Sequence, residues 1–164
     1  MAKHATSGTA EEYRLQLIEL LENFEEHLKS SELRIQVLEL VPATKLLQSL
    51  GSSLIHGPDI CSARARILAY MQKYVGIVLS GEELMVVAGI SEYARRIREL
   101  RVQLGWKILT GVTLKNMEQE EIVELFGNEQ SRLKPDQYIL LSDKEDREAA
   151  HRWNVANDIR KAKG

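Results

Sequence analysis

The sequence predicts a mainly α-helical protein with a small antiparallel β-wing. Three observations carry that prediction. Helix formers dominate a chain of 164 residues that holds only three prolines. Apolar residues recur at three- and four-residue spacing through most of the chain. Two short runs in the second half, Trp106–Thr110 and Gln137–Leu141, have the composition of strands instead.

Thr9 with Glu12 forms a capping box that starts the first helix. Tyr13, Leu17, Leu20, Leu21, Phe24 and Leu28 then share one face, and glutamates cover much of the rest. Lys29-Ser30-Ser31 breaks the helix. A second is predicted over Glu32–Val41 and a third over Ala43–Leu50, opened by Pro42 and stopped by Gly51. Gly51–Asp59 is rich in turn formers and reads as a linker. Beyond it, Ser62–Tyr74 is helical, with Ile67, Leu68 and Met71 inward, and Val75–Leu79 suits a brief strand. Ser80 and Glu83 form a second capping box for a short helix bearing Leu84, Val87 and Ala88. Gly89 suits the left-handed residue that ends it. Ser91 is placed as the cap of the next helix, which runs to Leu104. Between the two wing strands lies an excursion with a small acidic helix, Met117–Phe126, capped by Asn116 and Gln119 and packing through Ile122 and Phe126. Ser142 with Glu145 is expected to start a last helix carrying Ala149, Trp153, Ala156 and Ile159.

This order defines three parts: helices over 1–58, a central domain over 59–142, and a C-terminal helix or connector over 143–164. The order of elements in the centre is that of a winged helix-turn-helix, with Gly89-Ile90-Ser91 as the turn.

Charge points to the same region. Net charge is −2, but residues 1–61 hold five Lys/Arg against nine Asp/Glu, 62–115 hold nine against four, and 116–164 hold eight against eleven. A basic middle between acidic ends is the asymmetry of a face that meets phosphate. No apolar run is long enough to span a bilayer, and the first ten residues lack the apolar stretch of a signal peptide. With Cys61 as the single cysteine there is no internal disulfide, and a cytoplasmic location is expected.

On the helix from Ser91 to Leu104, Tyr93, Ile97, Leu100 and Leu104 cluster on one side and must pack inward. Ser91, Arg95, Arg98 and Glu99 lie opposite and are expected at DNA base edges, since arginine there can bond guanine bidentately. Arg96 and Arg101 on the flanks, with Lys107, Thr110 and Lys115 of the wing, are expected at the DNA backbone. The competing reading is a solvated charged face in which Glu92 pairs with Arg96 and Glu99 with Arg95 or Arg98. Trp106 is read as a core residue under the sheet. No catalytic residue or metal site is expected: His4, His27, His56 and His151 are scattered, and Cys61 has no second sulfur nearby.

Ala63–Gly111, and within it SGEELMVVAGISEYARRIRELRVQLGWKI (80–108), resembles a winged-helix module of bacterial HNH-family restriction-type endonucleases. LKPDQYILLSD (133–143) resembles the module's closing strand, and REAAHRWNVANDIRKAKG (147–164) the connector that leads onward. The resemblance implies double-stranded DNA as partner and the role of a target-recognition part. The histidine-asparagine-histidine chemistry and zinc-binding cysteines of that family's nuclease part are missing, so a divalent metal would belong to a nuclease domain outside this chain. A winged-helix transcription regulator and a protein-interaction winged helix without DNA affinity are the alternatives. The apolar stripe over 9–50 either supplies a homodimer interface or packs on its own neighbouring helices.

Overall fold

The computed structural model describes residues 8–30, 32–115, 117, 119–126 and 133–151. The protein is mainly helical, with one small antiparallel sheet.

α1 (Ala10–Ser30) and α2 (Leu33–Ser53) form a hairpin. The capping box opens α1: Thr9 N–H donates to Glu12 Oε2 at 2.6 Å, and Glu12 N–H donates to Thr9 Oγ1 at 3.2 Å. Gln36 Nε2 sets the hairpin's register, donating to the carbonyls of His27 and Leu28 at 3.3 Å. Tyr13, Leu17, Leu20 and Phe24 of the expected stripe are half-buried, whereas Leu21 and Leu28 stay exposed. The two helices expected over Glu32–Leu50 are one continuous helix with Pro42 inside it. Pro42 has no N–H to give the Leu38 carbonyl, so one helical bond is lost. Packing along α1 carries the helix through. Gly51 does not stop it either. That residue is buried against Val86, whose carbonyl oxygen leaves no room for a Cβ.

The central unit begins with α3 (Ala63–Lys73), whose N-cap Ser62 accepts from Ala65 N–H. The strand expected over Val75–Leu79 shortens to β1 (Leu79–Ser80), because Gly76, at φ +77°, sends its N–H to the Leu140 carbonyl before pairing begins. Ser80 then opens α4 (Gly81–Ala88) with the full capping box, and Gly89 ends it at φ +66°. After a short turn comes α5 (Tyr93–Arg98). Ser91 does not cap it: the N-cap is Glu92, without a side-chain bond, so the helix starts later than expected. Glu99–Gln103 continues as a π turn, closed by Leu104 N–H on the Glu99 carbonyl at 3.2 Å.

β2 (Trp106–Thr110) follows, then α6 (Gly111–Leu114), α7 (Gln119–Phe126) and β3 (Gln137–Glu145). β3 is central, in the order β1-β3-β2, antiparallel to both neighbours. It runs past Leu141 because Glu145 pairs with Trp106, so Ser142 and Glu145 belong to the strand, not to a helix cap. Asp146 takes that role, accepting from Ala149 N–H at 3.0 Å. Asn116, Trp153, Ala156 and Ile159, expected to cap or face these helices, lie outside the described residues, as does the Phe126 side chain.

The core joins Ile67 and Met71 of α3, Leu79, Leu84 and Ala88, Ile97 and Leu100, Ile108, and Tyr138 and Leu140 of β3, with Trp106 packed at its edge. Successive strand side chains point to opposite faces. Ile139 therefore faces away from this core and is buried apart from it, as are Leu114 and Ile122. Within the insertion between the wing strands α6 packs against β2, and Ile122 is the buried side chain of α7. Among the described residues, no helix is long and apolar enough to cross a membrane.

Candidate nucleic-acid interface

The α4–Gly89–α5 arrangement fixes which side of α5 faces out. Ile97 and Leu100 seal the core, so Arg95 and Arg98 project into solvent, with Ser91 exposed just ahead of the helix. The Arg95 side chain is 74% exposed. Arg98 has no carboxylate partner among the described residues.

Glu99 stands differently. Its side chain is only 13% exposed and is surrounded by guanidinium groups: Arg96 at 2.7 Å, Arg95 at 3.5 Å and Arg64 of α3 at 3.8 Å. Arg96 Nη1 donates to both carboxylate oxygens, at 2.7 and 2.9 Å. That hydrogen bond, helped by the charges of the three arginines, holds the Glu99 carboxyl below the usual carboxylate range. Glu99 therefore ties the flank of α5 to α3. The helical-spacing pair with Arg95 was legible in the sequence. Arg64, about thirty-five positions away, carries no local signal.

Arg101, within the π turn, reaches the wing from the flank of the helix. Arg101 Nη1 donates to Thr113 Oγ1 at 2.8 Å. Thr113 in turn meets Thr110, whose hydroxyl accepts the Thr113 N–H at 3.0 Å and caps α6. Arg98, Arg101, Thr110, Thr113 and Tyr138 line an open groove of about 470 Å³ between α5 and the wing. Burial, with Tyr93 beside it, raises the pKa of the Tyr138 phenol, so it is a neutral hydroxyl in this wall. Lys107 and Lys115 are exposed on the wing side.

Not every cation of the basic middle segment points outward. Arg66 Nε and Nη2 donate to the carbonyls of Val87 and Ala88, at 3.2 and 2.6 Å, satisfying the C-terminal end of α4. Burial lowers its pKa. Lys73 lies over the Tyr74 ring at 5.9 Å. The exposed set is therefore Arg64, Lys73, Arg95, Arg98, Lys107 and Lys115, whereas Arg96 and Arg101 are half-buried and bonded to Glu99 and Thr113. The structure brings Arg98, Arg101 and Thr110 to one groove and leaves Ser91 and Arg95 beyond its end. Thr113 was not anticipated as part of it.

Residues 64–141 match the family model of the KpnI N-terminal domain. The match covers just under half of the chain and coincides with the unit from α3 to β3. The central unit is thus similar to a restriction-enzyme module. No curated protein and no solved structure matches the chain.

Proposed function

We propose that the 64–141 unit binds double-stranded DNA as a winged helix-turn-helix and is the target-recognition part of an HNH-type restriction endonuclease. The observation that carries this reading is the exposed, cationic outer side of α5 beside an open groove in which Arg98, Arg101, Thr110 and Thr113 stand among apolar side chains. α5 enters the major groove, with Ser91, Arg95 and Arg98 at base edges. Arg96, Arg101, Lys107, Thr110 and Lys115 follow the backbone. Glu99, first expected at a base edge, is reassigned here to aiming Arg95 and Arg96. The family match to 64–141 supports the restriction-system assignment. A nuclease centre, and the divalent metal it would use, belongs to a separate domain.

Selection of bound duplexes from a random pool, followed by anisotropy titrations, tests the reading. Arg95→Ala and Arg98→Ala are expected to weaken the selected duplex about tenfold, with less effect on random DNA. Lys107→Ala is expected to weaken all duplexes alike and to flatten the salt slope by about one. Absence of DNA affinity at low salt would refute the proposal, and equal effects of all three substitutions on every duplex would refute the base-edge assignment.

A further inference from the structure

One broad face of the α1–α2 hairpin carries exposed apolar side chains on both helices. On α2, Leu33, Val37, Leu40, Thr44, Leu47 and Gly51 recur at alternating spacings of four and three. A strict 3.5-residue period of this kind is the seam of a coiled coil, not the broader stripe of a helix lying on a globular core. Yet Leu33 is 72% exposed and Leu47 57%, and Val37 and Leu40 are exposed as well. Only the last position, Gly51, is covered, by α4.

At 100° per residue, with Tyr13, Leu17 and Phe24 facing α2, the exposed Ile18, Leu21 and Leu28 of α1 fall on the same broad face as this seam, interleaved with Arg14 and Glu25. The crevice on the opposite face is lined on α1 largely by polar residues, including Gln16, Glu19 and Asn23.

We propose that this face is the interface between two copies of the chain, packed as a four-helix bundle with α2 of each copy lying over α1 of the other. Three observations select a second copy as the occupant. The first is fit. A two-fold axis parallel to the helices keeps every residue at its own height. The Gln36 contacts with His27 and Leu28 set that height within the hairpin. Leu28 of one copy then falls level with Leu33 and Val37 of the other, and Leu21 and Ile18 with Leu40 and Leu47. The second is charge. α1 carries six glutamates against Arg14 and Lys29, whereas α2 carries Arg34 and Lys45 against Glu39. Pairing α2 with α1, and not α1 with α1, keeps the two acidic helices apart. The third is size. The seven exposed apolar side chains offer on the order of 100 Å² each, or about 700 Å² per copy, close to the roughly 800 Å² per partner of a standard stable interface.

This inference does not depend on DNA binding, and its test contains no DNA. Sedimentation equilibrium of the full 164-residue chain at tens of micromolar is expected to give twice the 18.7 kDa chain mass. The double substitution Leu33→Glu and Leu47→Glu is expected to give the single-chain mass with an unchanged far-UV spectrum, since both side chains stand on the surface. Leu38→Glu, on the hairpin's other flank, is expected to leave the pair intact. A wild-type chain that runs as a monomer would overturn the proposal. So would an open-ended assembly, or a dimer that tolerates the double substitution.

Discussion

Replacing Glu99 with glutamine should lower stability and raise DNA affinity together, because one carboxylate serves both. The bifurcated bond from Arg96 Nη1, at 2.7 and 2.9 Å, is well shielded on the Glu99 side. A charge-assisted bond of that kind contributes about 1–2 kcal/mol. Arg64 and Arg95 stand farther off, at 3.8 and 3.5 Å, on side chains 44% and 74% exposed. Solvent screening limits them to a few tenths of a kcal/mol each. The expected loss is therefore about 1–2 kcal/mol, or a fall of roughly 3–6 °C in Tm for a chain of this size. The same substitution removes a negative charge from the midst of three arginines, so non-specific DNA affinity should rise. The sign of the pH effect follows from the depressed carboxyl. The folded state binds this proton less readily than the unfolded chain. The contribution is thus complete above the unfolded value and is lost as pH falls through the folded one. Between about pH 5 and pH 3 the wild-type Tm should drop more steeply than that of Glu99→Gln. Thermal melts across this range and duplex titrations at two salt concentrations check both halves. Parallel pH profiles would refute the stability argument. Weaker binding of random duplexes by Glu99→Gln would refute the charge argument.

Two further substitutions probe the frame that holds α5. Gly89→Ala places a Cβ at φ +66°, 2.7 Å from Ser52 Cβ and 2.8 Å from the Gln48 carbonyl oxygen. Backbone strain and overpacking together should cost about 2–4 kcal/mol, read as a lower denaturant midpoint; a change within about 0.5 kcal/mol would show that the turn yields freely. Arg66→Ala strips the two α4 carbonyls of their donors. It should cost about 1.5–3 kcal/mol, with Arg66→Lys recovering part, and should leave the salt slope of DNA binding unchanged. A flattened slope would place Arg66 on the DNA instead.

What the sequence disclosed was local. Ser80 and Glu83 cap each other across three residues, and Gly89 adopts the left-handed conformation its position demands, so α4 and its end were readable without tertiary context. Where a local signal competed with packing, packing prevailed. Pro42 and Gly51 are helix breakers by propensity, but α2 runs through both because α1 lies along one side and the Val86 backbone presses on the other. Ser142 and Glu145 have the spacing of a cap, but pairing of Glu145 with Trp106, and the 2.7 Å bond from Gln72 to Asp143, keep that segment in the sheet.

The candidate interface divides along the same line. Periodicity alone turned Ile97 and Leu100 inward and Arg95 and Arg98 outward. It could not show that the helix loosens into a π turn at Glu99, since that shift follows from closing Leu104 onto the Glu99 carbonyl before β2 begins. Arg101, expected on the flank, bonds to Thr113 in an insertion whose position no spacing rule encodes. The basic character of the segment was therefore visible as composition, whereas its division was not. Arg66 is committed to a helix end, Arg96 to a carboxylate, and Arg98 and Arg101 to an open groove. That division makes the binding proposal more demanding than a charge count. It requires a few particular guanidinium groups to matter while an equally basic neighbour, Arg66, does not.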